Sequence, residues 1–417
     1  MSSVVRRLKT SPNYFKLFDP TNPMSYNVLL TEFLRDGLHS NVLQVLASMS
    51  KSNLPLDSYS FCSCLITSSH VSDLYLAKQI HAQVKKTGWD NSVFVGSALI
   101  DMYCKANLVT NARMVFDEIP TRNTVCANAL LSGYSDSNQW DAMFQLARNM
   151  PAMDLQYDDC SFLVLLRTLA RLSAIELGAQ VHAMILRNGF ELEEDIFLQS
   201  ALIELYGKCG SVANAKRVFD LDGYGSGRKG SKDLVLYTSM LGVYGRNGKF
   251  NEVIELFQNM IKEGIKPDDV AFVSIIAACC HTGEVEVGLR CFEAMVNEFG
   301  IEPRAEHYSC MVNLLCKYGE MEKAWELVNQ MIRKGKHKFS VSMWSALLSA
   351  CEEHGNVELG ELAARQALKL QPDNVGVYMK LSNLYGIYGM RHEINLINDK
   401  MREIGLKKNV GYSRVSM

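Results

Sequence analysis

SALIDMYCKAN occupies residues 97–107 and SALIELYGKCG residues 200–210, so the chain repeats nearly the same stretch at a separation of 103. The echoes continue on either side. QIHAQVKKTGW from Gln79 returns as QVHAMILRNGF from Gln180, and YNVLL from Tyr26 returns as ANALL from Ala127, both at a separation of 101. Self-similarity of this kind marks a repeat array, and the period must be found before any other feature is interpreted.

The period is readable in the apolar pattern. Tyr26, Leu30 and Phe33 mark one helix face, and after Gly37 a second face is marked by Val42, Val45, Leu46 and Met49. Each unit is thus a helical hairpin. Gly88, Gly189, Gly264 and Gly300 follow apolar stripes, with Pro267 and Pro303 just beyond the last two, where helices are expected to stop. The phasing gives units 23–57, 58–92, 93–123, 124–158, 159–195, 196–233, 234–268 and 269–304, then one from Ala305. Lengths rotate through about 35, then 35 to 37, then 31 residues, so similarity falls between every third unit. The serine-led copies stand two positions further apart because the fifth unit is two residues longer. One hairpin cannot bury both of its faces, so the hairpins stack into an all-α array.

Bulk properties limit what such an array can do. A chain of 417 residues is too long for one compact core, and its formal net charge of −2 excludes a uniformly basic, non-selective nucleic-acid binder. Any nucleic-acid contact is local. Twelve cysteines without a CxxC pair, and no secretory signal, read as reduced and mostly buried thiols. The longest apolar run, VAFVSIIAACC from Val270, is shorter than the roughly 18 residues that span a bilayer, so no membrane partner is expected. The N-terminal segment 1–22 carries Arg6, Arg7, Lys9 and Lys16 with no acid before Asp19, as an organelle transit peptide does. LFDPTN from Leu17 looks like the tail of another short repeat, which suggests that an N-terminal portion is missing.

A steady period near 34 and a WxxLGxxY pattern, the marks of tetratricopeptide repeats, are not found. From about Lys16 to Gly411 the chain instead resembles the plant pentatricopeptide repeat family, in the subclass that alternates ordinary, long and short repeats. The resemblance is carried by YNVLL with NLPLD, KQIHAQVKKTGW, SALIDMYCKAN with ARMVFDEIPTRN, LYTSMLGVYGRNG with GIKPD, and EHYSCMVNLLCKYG. Beyond these, MWSALLSACEEHGNVELGELAARQALKLQPDN and VYMKLSNLYGIYGM are similar to the two motifs of that subclass's C-terminal E extension. The resemblance implies a right-handed superhelical solenoid of stacked helical hairpins, with nine repeats over 23–339 and an extension of two degenerate hairpins and a tail over 340–417. The tail departs from the family, with Val410, Tyr412 and Arg414 where Pro, Cys and Trp are expected.

Helical repeats that bind RNA place one unstacked base per repeat along their first helices. In the resembled family the base is read by the fifth residue of a repeat together with its last. Here those pairs are Asn27 with Asp57, Ser97 with Asn123, Asn128 with Asp158, Ser200 with Asp233, and Thr238 with Asp268. Amides donate and accept, a hydroxyl fits a purine edge, and the last residue can hydrogen-bond the fifth and fix its direction. Taken singly, the same residues are ordinary helix N-caps. Five pairs in one phase of a repeat favour reading. The long repeats offer Cys62, Leu163 and Val273 at that place and are expected to space the strand. By family analogy the pairs read 5′-UnAUnGGnn. The 3′ end of this reading is qualified by DGYGSGRKGSK from Asp222, which lengthens the sixth unit before Asp233, and by the ninth unit, whose last residue falls at Lys336 or Ser340. Arg333, Lys334, Lys336 and Lys338 are candidate phosphate contacts or a solvated basic loop.

HxE followed by PCxxC, the zinc and proton-transfer set of cytidine deaminases, does not occur, nor does GxxxxGK[ST] or GxSxG. His81, His182, Cys279 and Cys280 lack ligand partners at metal spacing and read as packing residues, so no metal, cofactor or catalytic residue is expected. The expected function is a sequence-specific single-stranded RNA-binding factor for C-to-U editing in mitochondria, with chloroplasts as the alternative. Its deaminase would come in trans from a deaminase-bearing pentatricopeptide protein or from organellar editing cofactors. Two other readings are open: a factor for stability, splicing or translation of an organelle transcript, and a helical protein-binding scaffold with no RNA ligand.

Overall fold

The computed structural model describes residues 22–52, 54–71, 73–192, 194–221, 233–334 and 341–405. Among the described residues there are α-helices and two short 3-10 turns, and no strand. The chain forms two compact units, Met1–Leu172 and Ser173–Met417. The first holds α1 Pro23–Arg35, α2 His39–Lys51, α3 Ser58–Val71, α4 Leu74–Thr87, α5 Val93–Lys105, α6 Val109–Glu118, α7 Thr124–Asp136, α8 Trp140–Asn149 and α9 Asp159–Leu172. The second holds α10 Ile175–Arg187, α11 Ile196–Lys208, α12 Val212–Phe219, α13 Leu234–Arg246, α14 Phe250–Lys262, α15 Asp269–Thr282, α16 Val285–Asn297, α17 Ala305–Lys317, α18 Met321–Lys334, α19 Val341–His354, α20 Val357–Leu370, α21 Val375–Ile387 and α22 Arg391–Glu403. Within each unit consecutive helices pack as antiparallel hairpins, and each odd-numbered helix also packs on the next odd-numbered one. The all-α stacked-hairpin fold expected from the period is the fold observed.

The reasons are local. Helix α1 starts where Asn22 accepts from the Met24 N–H and Pro23 supplies a preset first turn. Its stripe of Tyr26, Leu30 and Phe33 meets Val42, Val45 and Met49 of α2 in one core. Full burial of side chains such as Leu30 contributes about 1.5 to 3 kcal/mol each. At the other end of the chain Leu347, Leu348 and Cys351 on α19 and Tyr378, Leu381, Leu384 and Tyr385 on α21 are buried, as their spacing predicts. Within the hairpins the chain reverses through the left-handed region, at Gly37, Gly210 and Gly248 but also at Asn107 and Asn138, both with φ of 58°. Asparagine tolerates that conformation better than other side-chain-bearing residues. Gly133 serves close approach instead, since a Cβ there would collide with Cys104 of the preceding hairpin.

The repeated histidines pack as the sequence suggests. His81 Nδ1 lies 2.8 Å from the Tyr103 hydroxyl, and His182 Nδ1 lies 3.0 Å from that of Tyr206. Burial holds both imidazoles below their ordinary pKa. All twelve cysteines are free thiols, and burial pushes Cys62 up to about 11 and Cys279 up to about 12. No helix among the described residues is long and apolar enough to cross a membrane.

Candidate nucleic-acid interface

Every first helix of a hairpin begins with the same short register, and the side chains of that first turn and a half form the site. The fifth residue of one hairpin faces the residue that precedes the next hairpin's first helix. At the first junction Asn27 Nδ2 donates to Asp57 Oδ2 over 2.6 Å, while Asp57 Oδ1 accepts from the Ser60 N–H at 2.9 Å. The Ser60 hydroxyl lies 3.1 Å from Asn27 Oδ1 and 2.9 Å from Asp57 Oδ1. The fourth unit repeats this arrangement. Asn128 Nδ2 donates to Asp158 Oδ1 over 2.8 Å, and the Ser161 hydroxyl reaches Asn128 Oδ1 at 2.7 Å. Asp158 Oδ1 also accepts from the Ser161 N–H at 2.8 Å. Each aspartate therefore caps the helix that follows it and anchors the asparagine that precedes it.

The hydroxyl-bearing pairs behave differently. Ser97 donates to its own helix at Phe94 O over 3.0 Å, while Asn123 Oδ1 caps α7 through the Cys126 N–H. Thr238 turns to Leu234 O and Val235 O, and Asp268 Oδ1 accepts from the Ala271 N–H at 2.9 Å. Ser200 lies 2.8 Å from the Ser239 hydroxyl, which in turn donates to Val235 O, and Asp233 Oδ1 takes the Val235 N–H. The expectation that the last residue orients the fifth is met geometrically at the two asparagines. The hydroxyls of Ser97 and Thr238 find a carbonyl three or four residues back in their own helices, whereas that of Ser200 crosses to Ser239. All five last residues cap the helix that follows them. Cys62, Leu163 and Val273 are half-buried in the long units.

Two rows of residues absent from the sequence-based selection flank these pairs. The second residue of each first helix is exposed and mostly apolar: Met24, Tyr59, Phe94, Val125 and Cys160 in the first unit, and Phe197, Val235 and Val270 in the second. Tyr59 at 71% exposure and Phe94 at 77% are too open for core residues. Such rings and methyl groups are surfaces on which bases stack. The row lapses at Glu306, Ser342 and Gly376. In the last turn of the same helices stand exposed basic residues: Arg35, His70, Lys105 and Arg171, then Lys208, Arg246, His281 and Lys317. Asp136 interrupts them, and Glu353 and Ile387 occupy the place in the last two first helices. Cations there complement the helix C-terminus, and they are also where phosphates would be met. Several are already tethered, Lys105 to Asp101 at 2.7 Å and Lys208 to Glu204 at 3.4 Å. Both rows were readable as a recurrence at fixed repeat position. Of the candidate phosphate contacts, Lys336 and Lys338 lie outside the described residues, as do the side chains of Arg333 and Lys334.

The extension closes its own groove. Lys380 of α21 donates to Ser345 O at 3.2 Å and to the Ser349 hydroxyl at 2.6 Å, and so lies across the fifth residue of α19.

Comparison with known proteins agrees with this fold. Residues 97–124, 270–298 and 306–335 match the PPR repeat, residues 232–281 the PPR repeat family, and residues 354–416 the E motif. A mitochondrial pentatricopeptide repeat-containing protein of Arabidopsis thaliana is 31% identical over 411 residues, covering 98% of this chain and 71% of the relative. A chloroplastic one from the same plant is 30% identical over 405 residues, covering 97% of this chain and 46% of the relative. The chain spans little more than half the length of other curated relatives, 54% and 57% in two cases. The crystal structure of the pentatricopeptide repeat protein PPR10 in complex with an 18-nt psaJ RNA element superposes with a TM-score of 0.67 at 18% identity, over 96% of this chain and 57% of that one.

Proposed function

The chain belongs to the plant pentatricopeptide repeat family, in the class whose ordinary, long and short repeats lead into an E motif, and from that premise we propose that it reads single-stranded RNA one base per hairpin. The observation that carries the reading is the coincidence, in the same first turns, of an exposed apolar side chain with a polar pair. Stacking on Tyr59, Phe94 or Phe197 supplies sequence-tolerant affinity, and the polar pairs Asn27 with Asp57, Ser97 with Asn123, Asn128 with Asp158, Ser200 with Asp233 and Thr238 with Asp268 supply the choice of base. The preferred RNA is UnAUnGG. Arg35, Lys105, Arg171, Lys208, Arg246 and Lys317 of the basic row meet phosphates as single local charges, which reconciles local RNA affinity with a net charge of −2. PPR10 carries RNA on the same fold.

The E motif supports a role in C-to-U editing of an organelle transcript, with the deaminase supplied by a protein partner. Residues 340–417 are the partner-recruiting segment and residues 23–339 the reading array. Mitochondria are the favoured site of action, on the basic segment before residue 22 and a relative named as mitochondrial.

Binding at fixed salt to RNA carrying UnAUnGG, and to the same RNA with both U positions changed to G, tests the reading. The first binds more tightly, and Asn128→Thr moves the preference at the fourth base from U toward G by about 1 to 3 kcal/mol. Equal affinities for all these RNAs would remove base reading. For editing, a chain ending near Phe339 keeps its RNA affinity and loses editing of its target in the organelle. Editing that survives this truncation removes the recruiting role.

A further inference from the structure

On the reading that Asn27 and Asn128 face bases, we propose that Ser60 and Ser161 are positioning residues that lock the asparagine amide in one orientation and thereby set its preference for uracil over cytosine. Neither serine reaches the groove, since both are fully buried. Each is the third residue of the helix that follows the asparagine it touches.

A primary amide has nearly the same shape after half a turn about its last torsion, with nitrogen and oxygen exchanged. Uracil presents a donor at N3 beside an acceptor at O4, and cytosine presents an acceptor at N3 beside a donor at N4. A freely turning amide satisfies either pyrimidine. At Asn128 the turn is opposed at both ends. Asp158, a carboxylate that only accepts, holds the Nδ2 side at 2.8 Å, and the Ser161 hydroxyl holds the Oδ1 side at 2.7 Å. The Ser161 proton has a second acceptor in reach, Asp158 Oδ1 at 2.8 Å, but that oxygen already takes the Ser161 N–H and the Asn128 amide. The proton therefore belongs to Asn128 Oδ1. What is left for a base is one N–H and one carbonyl lone pair, in a fixed order. Asn27, Asp57 and Ser60 form a related triad, with the amide on Asp57 Oδ2 and the Ser60 hydroxyl 3.1 Å from Asn27 Oδ1 and 2.9 Å from Asp57 Oδ1.

The sequence carries an independent sign of the pairing. Where the fifth residue is asparagine, the third residue of the next helix is serine, in DSYSF from Asp57 and DDCSF from Asp158. Where the fifth residue is Thr238, the equivalent stretch is DDVAF from Asp268, and the third residue is Ala271, also fully buried. Thr238 makes its hydrogen bonds within its own helix and needs no hydroxyl opposite.

The test uses the full chain and RNAs that differ only at one base of UnAUnGG, at fixed salt. In Ser161→Ala, the affinity ratio of U over C at the fourth base falls by about fivefold or more, while affinity for the U-containing RNA changes little. A second pair of variants builds the lock where it is lacking. Thr238→Asn alone, its amide held at one end by Asp268, discriminates weakly between the pyrimidines at the seventh base, and Thr238→Asn with Ala271→Ser favours U over C by about fivefold more than the single variant. An unchanged U-over-C ratio in both experiments, or an equal loss for every RNA, overturns the lock while base reading stands. Absence of any base preference in the unaltered protein overturns the parent reading instead. If Ser161→Ala fails to fold, the Ala271→Ser comparison alone decides.

Discussion

At the Asn128 junction three side chains from neighbouring hairpins hold one another, whereas at the Thr238 junction the threonine and the aspartate each bond within or onto a single helix. The backbone is the same in both places: a first helix, a capping aspartate one repeat later, and a buried third residue. The difference rests on the reach of the fifth side chain. An asparagine is long enough to cross to the next hairpin. The Thr238 hydroxyl is captured by the carbonyls of its own helix. One repeat geometry thus yields both a clamped fifth side chain and a self-contained one, and the choice is made by two residues some thirty positions apart.

The largest expected effect compares the two aspartates. Asp158→Ala removes a helix cap and also leaves the Asn128 amide and the Ser161 hydroxyl without their anchor, so it costs about 2 to 3 kcal/mol. Asp268→Ala removes a cap alone and costs about 1 kcal/mol. Urea unfolding midpoints of the two variants measure the gap, and equal losses would break the distinction between the junctions.

The parts of this comparison differ in how far they could be read in advance. The hairpins and their stacking follow from apolar spacing and from the separation of 101, which survive any detail of side-chain direction. The asparagine pairs were legible for the same reason, since type and position recur together. Ser60 and Ser161 recur at that separation too, but a serine in a first helical turn has an ordinary explanation as a local cap, and its burial against an amide is a tertiary fact. The partner of Ser200 was hidden for another reason. The insertion from Asp222 lengthens the sixth unit, and the hydroxyl it meets belongs to Ser239, a sixth rather than a last residue. The exposed row from Met24 to Val270 stayed unread because apolar residues in a helix are first taken as core.

A smaller effect separates two kinds of hydroxyl junction. Ser239→Ala deprives Ser200 of its acceptor across the hairpins and costs about 1 kcal/mol. Thr238→Val removes bonds made only within α13 and changes stability by about 0.5 kcal/mol or less. Thermal unfolding of the two variants side by side distinguishes cross-hairpin from intrahelical bonding.

The smallest effect is one both units share. Burial lowers the pKa of His81 in the first unit and His182 in the second, so the unfolded chain takes up those protons first. Their contribution to stability is present above the unfolded pKa of about 6.5 and is lost as pH falls from there through the lower folded pKa. A modest fall in Tm between pH 7.5 and pH 5.5, reduced in a variant carrying both His81→Gln and His182→Gln, is the expected result. An unchanged fall would show that acid sensitivity resides in groups other than these two.

The hydrogen bond from Asn128 to Asp158 runs from one hairpin to the next, and stacked repeats cohere only through such neighbour interfaces. The contact that aims the amide is therefore also part of what resists pulling the stack apart. Linkage between two equilibria is reciprocal, so a base that engages the clamped amide must return to the junction whatever free energy the clamp lent to binding. A threaded strand then acts on these repeats as a splint. On the proposed reading, tension applied along the protein loosens the hold on uracil at the two asparagine junctions before it disturbs the bases opposite Ser97 or Thr238, whose hydroxyls are tied to their own helices and do not feel the hairpins part.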